Sequence, residues 1–163
     1  MELFLIRHGI AADPQLYTDD RERPLTVEGR QKTAKVAQRL HHLGLRFDLI
    51  LTSPLVRAKQ TAEILQDAGL SSQIEEFAEL EPGGDIQAWS QWLESWRDRT
   101  KRHQLALVGH QPDLGNWAEV LVWGDAKERL VVKKAGVMGL NLPKKGTPLG
   151  QSQLFWLSSP KWL

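Results

Sequence analysis

The sequence predicts a three-layer α/β/α sandwich with a mainly parallel central sheet. Two observations predict it. Short apolar runs at residues 3–6, 47–51 and 105–108 each stop at a polar segment. Each run is followed by apolar residues at helical spacing. Strand and helix patterns therefore alternate, as they do in a sheet covered by helices. The 163 residues contain no internal repeat, low-complexity tract or linker, so one domain spanning 1–163 is expected.

The elements follow in order. The run at 3–6 ends at Arg7-His8-Gly9 and reads as a buried strand stopping at a loop. Residues 11–26 are polar, contain Pro14 and Pro24, and read as a loop. Thr26 is the expected N-cap of a helix whose inner face is Val36, Ala37, Leu40 and Leu43, closed by Gly44. After the strand at 47–51, Ser53 as cap and Pro54 at the first helical position predict a second helix. Ala58, Thr61, Ala62, Leu65 and Ala68 form its inner face, and Gly69 ends it. A weaker strand is expected at 74–77. Pro82-Gly83-Gly84 reads as a turn, and Asp85 caps a helix marked by Ile86, Trp89, Leu93 and Trp96. The strand at 105–108 leads through Gly109-His110-Gln111-Pro112 to a helix marked by Leu114, Trp117, Ala118, Leu121 and Val122. Strands at 137–142 and 153–157 complete the sheet, joined by the Lys144-Lys145-Gly146 turn.

Composition narrows the function. Lys and Arg number 21 against 20 Asp and Glu, so the chain lacks the basic excess of a nucleic-acid binder. It has no cysteine, which excludes disulfides, thiolate metal sites and a cysteine nucleophile. The first apolar run is too short for a signal peptide and has no basic segment before it. No stretch approaches a membrane span. A cytoplasmic protein without a membrane partner is expected.

Chemistry gathers at the strand ends. Arg7 and His8 follow the first strand, Arg57 lies one turn into the helix after the second, and His110 follows the strand at 105–108. Ligands of open α/β sheets bind outside the carboxyl ends of the strands. Two arginines and two histidines meeting there suit a phosphate, because the guanidinium fork matches its oxygens. The helix start at Ser53-Pro54 adds N–H donors near Arg57. One histidine, kept neutral by the neighbouring guanidinium charges, could then attack phosphorus. The other would hydrogen-bond the equatorial oxygens.

Four segments resemble the histidine phosphatase (phosphoglycerate mutase-like) superfamily. They are Leu5-Ile6-Arg7-His8-Gly9, Arg23-Pro24-Leu25-Thr26-Val27-Glu28-Gly29-Arg30, Ser53-Pro54-Leu55-Val56-Arg57-Ala58-Lys59-Gln60-Thr61, and Val108-Gly109-His110-Gln111-Pro112. The tripeptide alone is weak, but four segments in order at element boundaries are specific. The match extends to about residue 120, and the strand after Ala135-Gly136 is compatible with it. The resemblance implies that His8 is the nucleophile and that Arg7, Arg57 and His110 form the phosphate pocket, with Gly9 beside them. It implies catalysis without metal or cofactor, and inorganic phosphate as product.

Within the superfamily the chain is most similar to the SixA group of phosphohistidine phosphatases. The short length, the stretch Asp20-Arg21-Glu22-Arg23-Pro24-Leu25-Thr26 and the turn Glu81-Pro82-Gly83-Gly84-Asp85 carry that similarity. It implies as partner a phosphohistidine-bearing phosphotransfer protein of a signalling relay. The chain has little length for the lid with which mutases of the superfamily enclose a small substrate. The general acid of larger members is not assignable here; Glu81, grouped with the catalytic residues, and Glu79 are the candidates. The alternatives are a small-molecule phosphomonoester phosphatase or mutase with the same core, and a phosphate-binding or interaction module without turnover.

The remaining residues read as structural. His41 and His42 near a helix end, and His103 beside Lys101-Arg102, suit helix dipoles better than metal ligation. Trp89, Trp96 and Trp117 lie on apolar stripes and belong to the core, whereas Trp92 falls off its stripe. Trp123, Trp156 and Trp162 have no evident place. Lys133-Lys134 and Lys144-Lys145 read as solvated turns or edge protection, with docking of an acidic partner as the lesser alternative.

Overall fold

The computed structural model describes residues 1–99 and 104–163, so the expectation for His103 lies outside the described residues. Six strands form one sheet: β1 (Glu2–Arg7), β2 (Leu49–Thr52), β3 (Ile74–Glu76), β4 (Gln104–Gly109), β5 (Val137–Asn141) and β6 (Gln153–Ser158). Their spatial order is β3-β2-β4-β1-β5-β6. The first four pair in parallel, and β5 runs antiparallel to both β1 and β6.

Four helices cover the sheet: α1 (Val27–His42), α2 (Val56–Asp67), α3 (Ile86–Arg99) and α4 (Asp113–Trp123). Side chains of a strand alternate between its two faces, and here both faces are buried, which is why the central strands are apolar throughout. Phe4 and Ile6 of β1, with Ala106 and Val108 of β4, pack under Val36, Ala37 and Leu40 of α1 and Ala58, Ala62 and Leu65 of α2. Leu3, Leu5, Leu105 and Leu107 point the other way, against Trp89 and Leu93 of α3 and Leu114, Trp117 and Leu121 of α4. The layered α/β arrangement is as expected.

The local signals hold in part. The Thr26 hydroxyl caps α1 by accepting from the Gly29 N–H at 2.9 Å, and Asp85 accepts from the Gln87 N–H at 2.8 Å at the start of α3. The start of α2 differs. Pro54 is outside the helix, Leu55 is the N-cap, and no side chain caps it. The Ser53 hydroxyl is instead engaged by a histidine across the sheet. Strand bounds shift by one or two residues: Phe47 precedes β2, and Leu142 follows β5.

Trp92 is not off the apolar face. It stacks on Trp96 at a ring distance of 5.7 Å and packs at a tilt against Phe77 at the same distance, extending the core beyond the apolar stripe. Trp156 is half-buried against Phe4, and Trp123 and Trp162 are exposed. Among the described residues no helix is long and apolar enough to cross a membrane, and no group of histidine, aspartate and glutamate has a metal-binding arrangement.

Candidate active site

The order β2-β4-β1 sets three strand ends side by side at the middle of the sheet. Arg7 is level with Gly109, and Thr52 with Val108. The ladder continues one residue further, with the His8 N–H on the Gly109 carbonyl at 3.1 Å and the Ser53 N–H on the Val108 carbonyl at 2.9 Å. His8, Ser53 and His110 therefore leave the sheet as neighbours. The rings of His8 and His110 lie 5.1 Å apart, centroid to centroid. His8, Arg57 and His110 are 6%, 4% and 3% exposed, so these polar groups sit in a largely dehydrated cleft.

Each side chain is held by a named partner. His8 Nδ1 lies 2.7 Å from the Gly9 carbonyl. A carbonyl only accepts, so Nδ1 carries the proton and Nε2 keeps its lone pair. Gly9 is fixed in turn, its N–H donating to Thr61 Oγ1 at 3.1 Å, while Thr61 donates to the Arg57 carbonyl at 2.8 Å. A Cβ on Gly9 would stand 2.4 Å from Thr33 Oγ1, so only glycine fits there. His110 Nε2 lies 2.8 Å from Ser53 Oγ, which also accepts from the Leu55 N–H at 3.3 Å. With a lone pair used there, the hydroxyl can donate to Nε2, leaving the His110 proton on Nδ1.

The arginines are anchored at one edge and free at the other. Arg7 Nη1 donates to the Val132 carbonyl at 2.9 Å. Gln111 steadies that loop, with Nε2 on the Leu130 carbonyl at 3.0 Å and Oε1 accepting from the Val132 N–H at 3.2 Å. Arg57 donates to Asp20 twice, from Nη1 to the backbone carbonyl at 2.7 Å and from Nη2 to Oδ2 at 2.9 Å. The other Asp20 oxygen accepts from Arg23 Nε at 2.7 Å, so one carboxylate bridges two guanidinium groups. Burial opposes its charge, but Arg23 and Arg57 hold its carboxyl below the usual range. Arg7 Nε, Arg57 Nε and His110 Nδ1 are buried without a protein partner. An unpaired buried polar group costs roughly 1–3 kcal/mol, so a cluster of them marks a place built for an anion.

Electrostatics keeps both rings neutral. Burial, then His110, with further contributions from Arg57 and Arg7, lowers the His8 pKa to about 3. Burial and Arg57 lower that of His110 to about 4. A neutral imidazole with Nε2 unprotonated is a nucleophile.

The structure thus brings Arg7, His8, Gly9, Arg57 and His110 together. Glu81 stands at the rim, its carboxylate gripped by both terminal nitrogens of Arg21. Glu79 accepts from the Asp85 N–H at 2.7 Å and organises the turn before α3. Sequence reasoning missed Ser53, Asp20, Arg23 and Thr61 as parts of the site. Ser53 reads as a helix cap and Thr61 as part of an apolar helix face, and the position of Asp20 depends on how a sixteen-residue loop folds back onto α2.

Comparison with known proteins gives the family. The family model of the histidine phosphatase superfamily (branch 1) matches residues 3–113, and the chain belongs to that superfamily. It is 29% identical over 148 residues to the phosphohistidine phosphatase SixA of Escherichia coli (strain K12), covering 90% of each chain. The solved structure of the protein histidine phosphatase SixA complexed with tungstate superposes with a TM-score of 0.86 at 27% identity, covering 99% of this chain and 98% of that one. An uncharacterized protein of a Picosynechococcus strain is 50% identical over 167 residues, covering 100% of this chain and 99% of the relative. The fold is the phosphoglycerate mutase-like fold of these SixA structures, and family and likeness together support a phosphatase.

Proposed function

We propose that the protein hydrolyses phosphohistidine on a phosphotransfer protein through a phosphorylated His8, without metal or cofactor. The phosphoryl oxygens lie among Arg7, Arg57 and His110 Nδ1. His8 Nε2 attacks phosphorus as the substrate's N–P bond breaks, and the electron pair of that bond returns to the substrate imidazole. A leaving imidazole already protonated on its other nitrogen departs as a neutral ring. Water then attacks the phosphorylated His8, releasing inorganic phosphate and restoring neutral imidazole. Alignment and fixed positive charge supply most of the rate.

The observation that carries this reading is the state of the carboxylates near the histidines. Asp20 is held by Arg23 and Arg57, Glu81 by Arg21, and Glu79 by a backbone N–H. Each is already engaged, by a guanidinium group or a backbone N–H. An alkoxide leaving group needs a proton donor, whereas an imidazole needs far less help. The similarity to SixA supports the same substrate class, and with it a role in cytoplasmic signal transduction.

The test is a rate comparison between a phosphohistidine-bearing phosphotransfer domain and a panel of small phosphate esters, with His8→Ala as control. Faster, His8-dependent loss of phosphate from the domain is expected. A preference for one ester would move the protein to small-molecule metabolism. No turnover of either by folded protein would leave a binding module.

A further inference from the structure

Basic and acidic residues nearly balance over the whole chain, 21 against 20, but they are not evenly spread. Lys32 and Lys35 of α1, Lys133 and Lys134 of the loop before β5, and Lys161 near the last residues line one groove together with Arg7. The groove has a volume of about 790 Å³ and an apolar floor that includes Ile10, Val36 and Leu163. No acidic side chain lines it. Lys32 is paired with Glu28 at 2.6 Å, and Lys161 lies 5.3 Å over the Trp162 ring. Lys35, Lys133 and Lys134 are exposed and have no acidic partner among the described residues.

The position of the groove gives it meaning. Arg7 belongs both to the groove and to the phosphate cluster, whereas His8, Arg57 and His110 do not line the groove. The Lys133-Lys134 segment is fastened beside the nucleophile, with the Ala135 N–H on the Arg7 and His8 carbonyls at 3.1 and 3.2 Å. Lys133 and Lys134 are therefore held beside His8, and the other lysines line the same groove.

We infer that this groove docks an acidic segment of the phosphoprotein next to its phosphohistidine. The inference rests on the reading of a phosphohistidine protein as substrate and adds the charge of the surface around the modified residue. One phosphoryl group occupies only the Arg7–Arg57–His110 cluster. Five further ammonium groups along the groove, only Lys32 of them paired with a carboxylate among the described residues, exceed what that group needs. A row of Asp and Glu carboxylates complements them, and like-signed tracks of this kind steer association and select partners.

The test uses two synthetic phosphohistidine peptides, one flanked by Asp and Glu and one by Ser and Ala. Each is given to the wild type, to the triple variant Lys35→Glu, Lys133→Glu, Lys134→Glu, and to a Gln version of it. A remote control, Lys144→Glu with Lys145→Glu, alters exposed lysines of the β5–β6 turn, at the opposite end of β5 from Arg7. At low salt the wild type should favour the acidic peptide in kcat/KM by about tenfold or more, and salt should erase the preference. The triple variant should lose the preference and keep its rate on the neutral peptide, which also shows that it folds. Equal wild-type rates on the two peptides would overturn the docking inference, as would an equal loss in the remote control. Lysine-dependent binding of inorganic tripolyphosphate without any peptide preference would overturn it in favour of a small polyanion. Failure on both peptides with His8-dependent turnover of an ester would instead remove the phosphohistidine reading, and the docking inference with it.

Discussion

Ser53 Oγ lies 2.8 Å from His110 Nε2, with both side chains buried at the ends of adjacent strands. In the proposed reaction this contact sets which nitrogen of His110 would face the phosphoryl group. Ser53→Ala removes the hydroxyl and leaves a buried Nε2 unpaired, a cost of roughly 1–3 kcal/mol. The expected result is a drop in kcat/KM of about tenfold or more, with the fold and the His8 nucleophile retained. Steady-state kinetics with circular dichroism of the variant checks this. An unchanged rate would mean that the hydroxyl does not set the tautomer.

Arg57 and Asp20 give a pair of opposite predictions. Arg57→Ala removes the proposed charged phosphate contact and should lower kcat/KM on the order of a hundredfold. Asp20→Ala leaves the Asp20 backbone carbonyl in place to orient Arg57 but removes the carboxylate that competes with an anion for two guanidinium groups. It should bind tungstate several-fold more tightly than the wild type. Titration calorimetry separates the cases, and weaker tungstate binding by Asp20→Ala would show that the carboxylate builds the pocket rather than competing for it.

The histidines predict an unusual pH response. Their folded pKa values, about 3 and about 4, lie below the ordinary 6.5. Both rings are neutral from pH 5 upward, so their ring-proton NMR shifts should stay constant between pH 5 and 8. Between 6.5 and about 3 the unfolded chain binds more protons than the folded one, so stability falls as pH falls through that window. The loss of Tm on acidification should be smaller in His8→Gln than in the wild type. A His8 ring titrating near 6.5 would contradict the dehydrated cleft.

Much of this was legible in the sequence because each signal was local. Continuous apolar strands announced a sheet buried on both faces. Arg7-His8, Arg57 and His110 stood at element boundaries, where parallel topology gathers side chains. Other features depended on long-range contacts. Ser53 looks like a helix cap, but His110, 57 residues away, takes its hydroxyl and the helix starts later. Glu119 of α4, which has no reading from sequence, is fully buried and accepts from the Arg129 and Leu130 N–H groups. It thereby shapes the loop whose Val132 carbonyl anchors Arg7. Asp20 and Arg23 needed the fold of residues 11–26, which no periodicity encodes. Trp92 joined the core through aromatic stacking, for which the helical stripe gives no signal.

The proposed reaction requires that His8 carry the phosphoryl group. It is tested most directly by mixing the protein with a radiolabelled phosphohistidine phosphotransfer domain, quenching in alkali, where a phosphoramidate survives, and mapping the label by mass spectrometry. Label is expected on the peptide containing His8, formed and lost at rates consistent with turnover, and absent in His8→Asn. Label on another residue, or full turnover by His8→Asn, would contradict it.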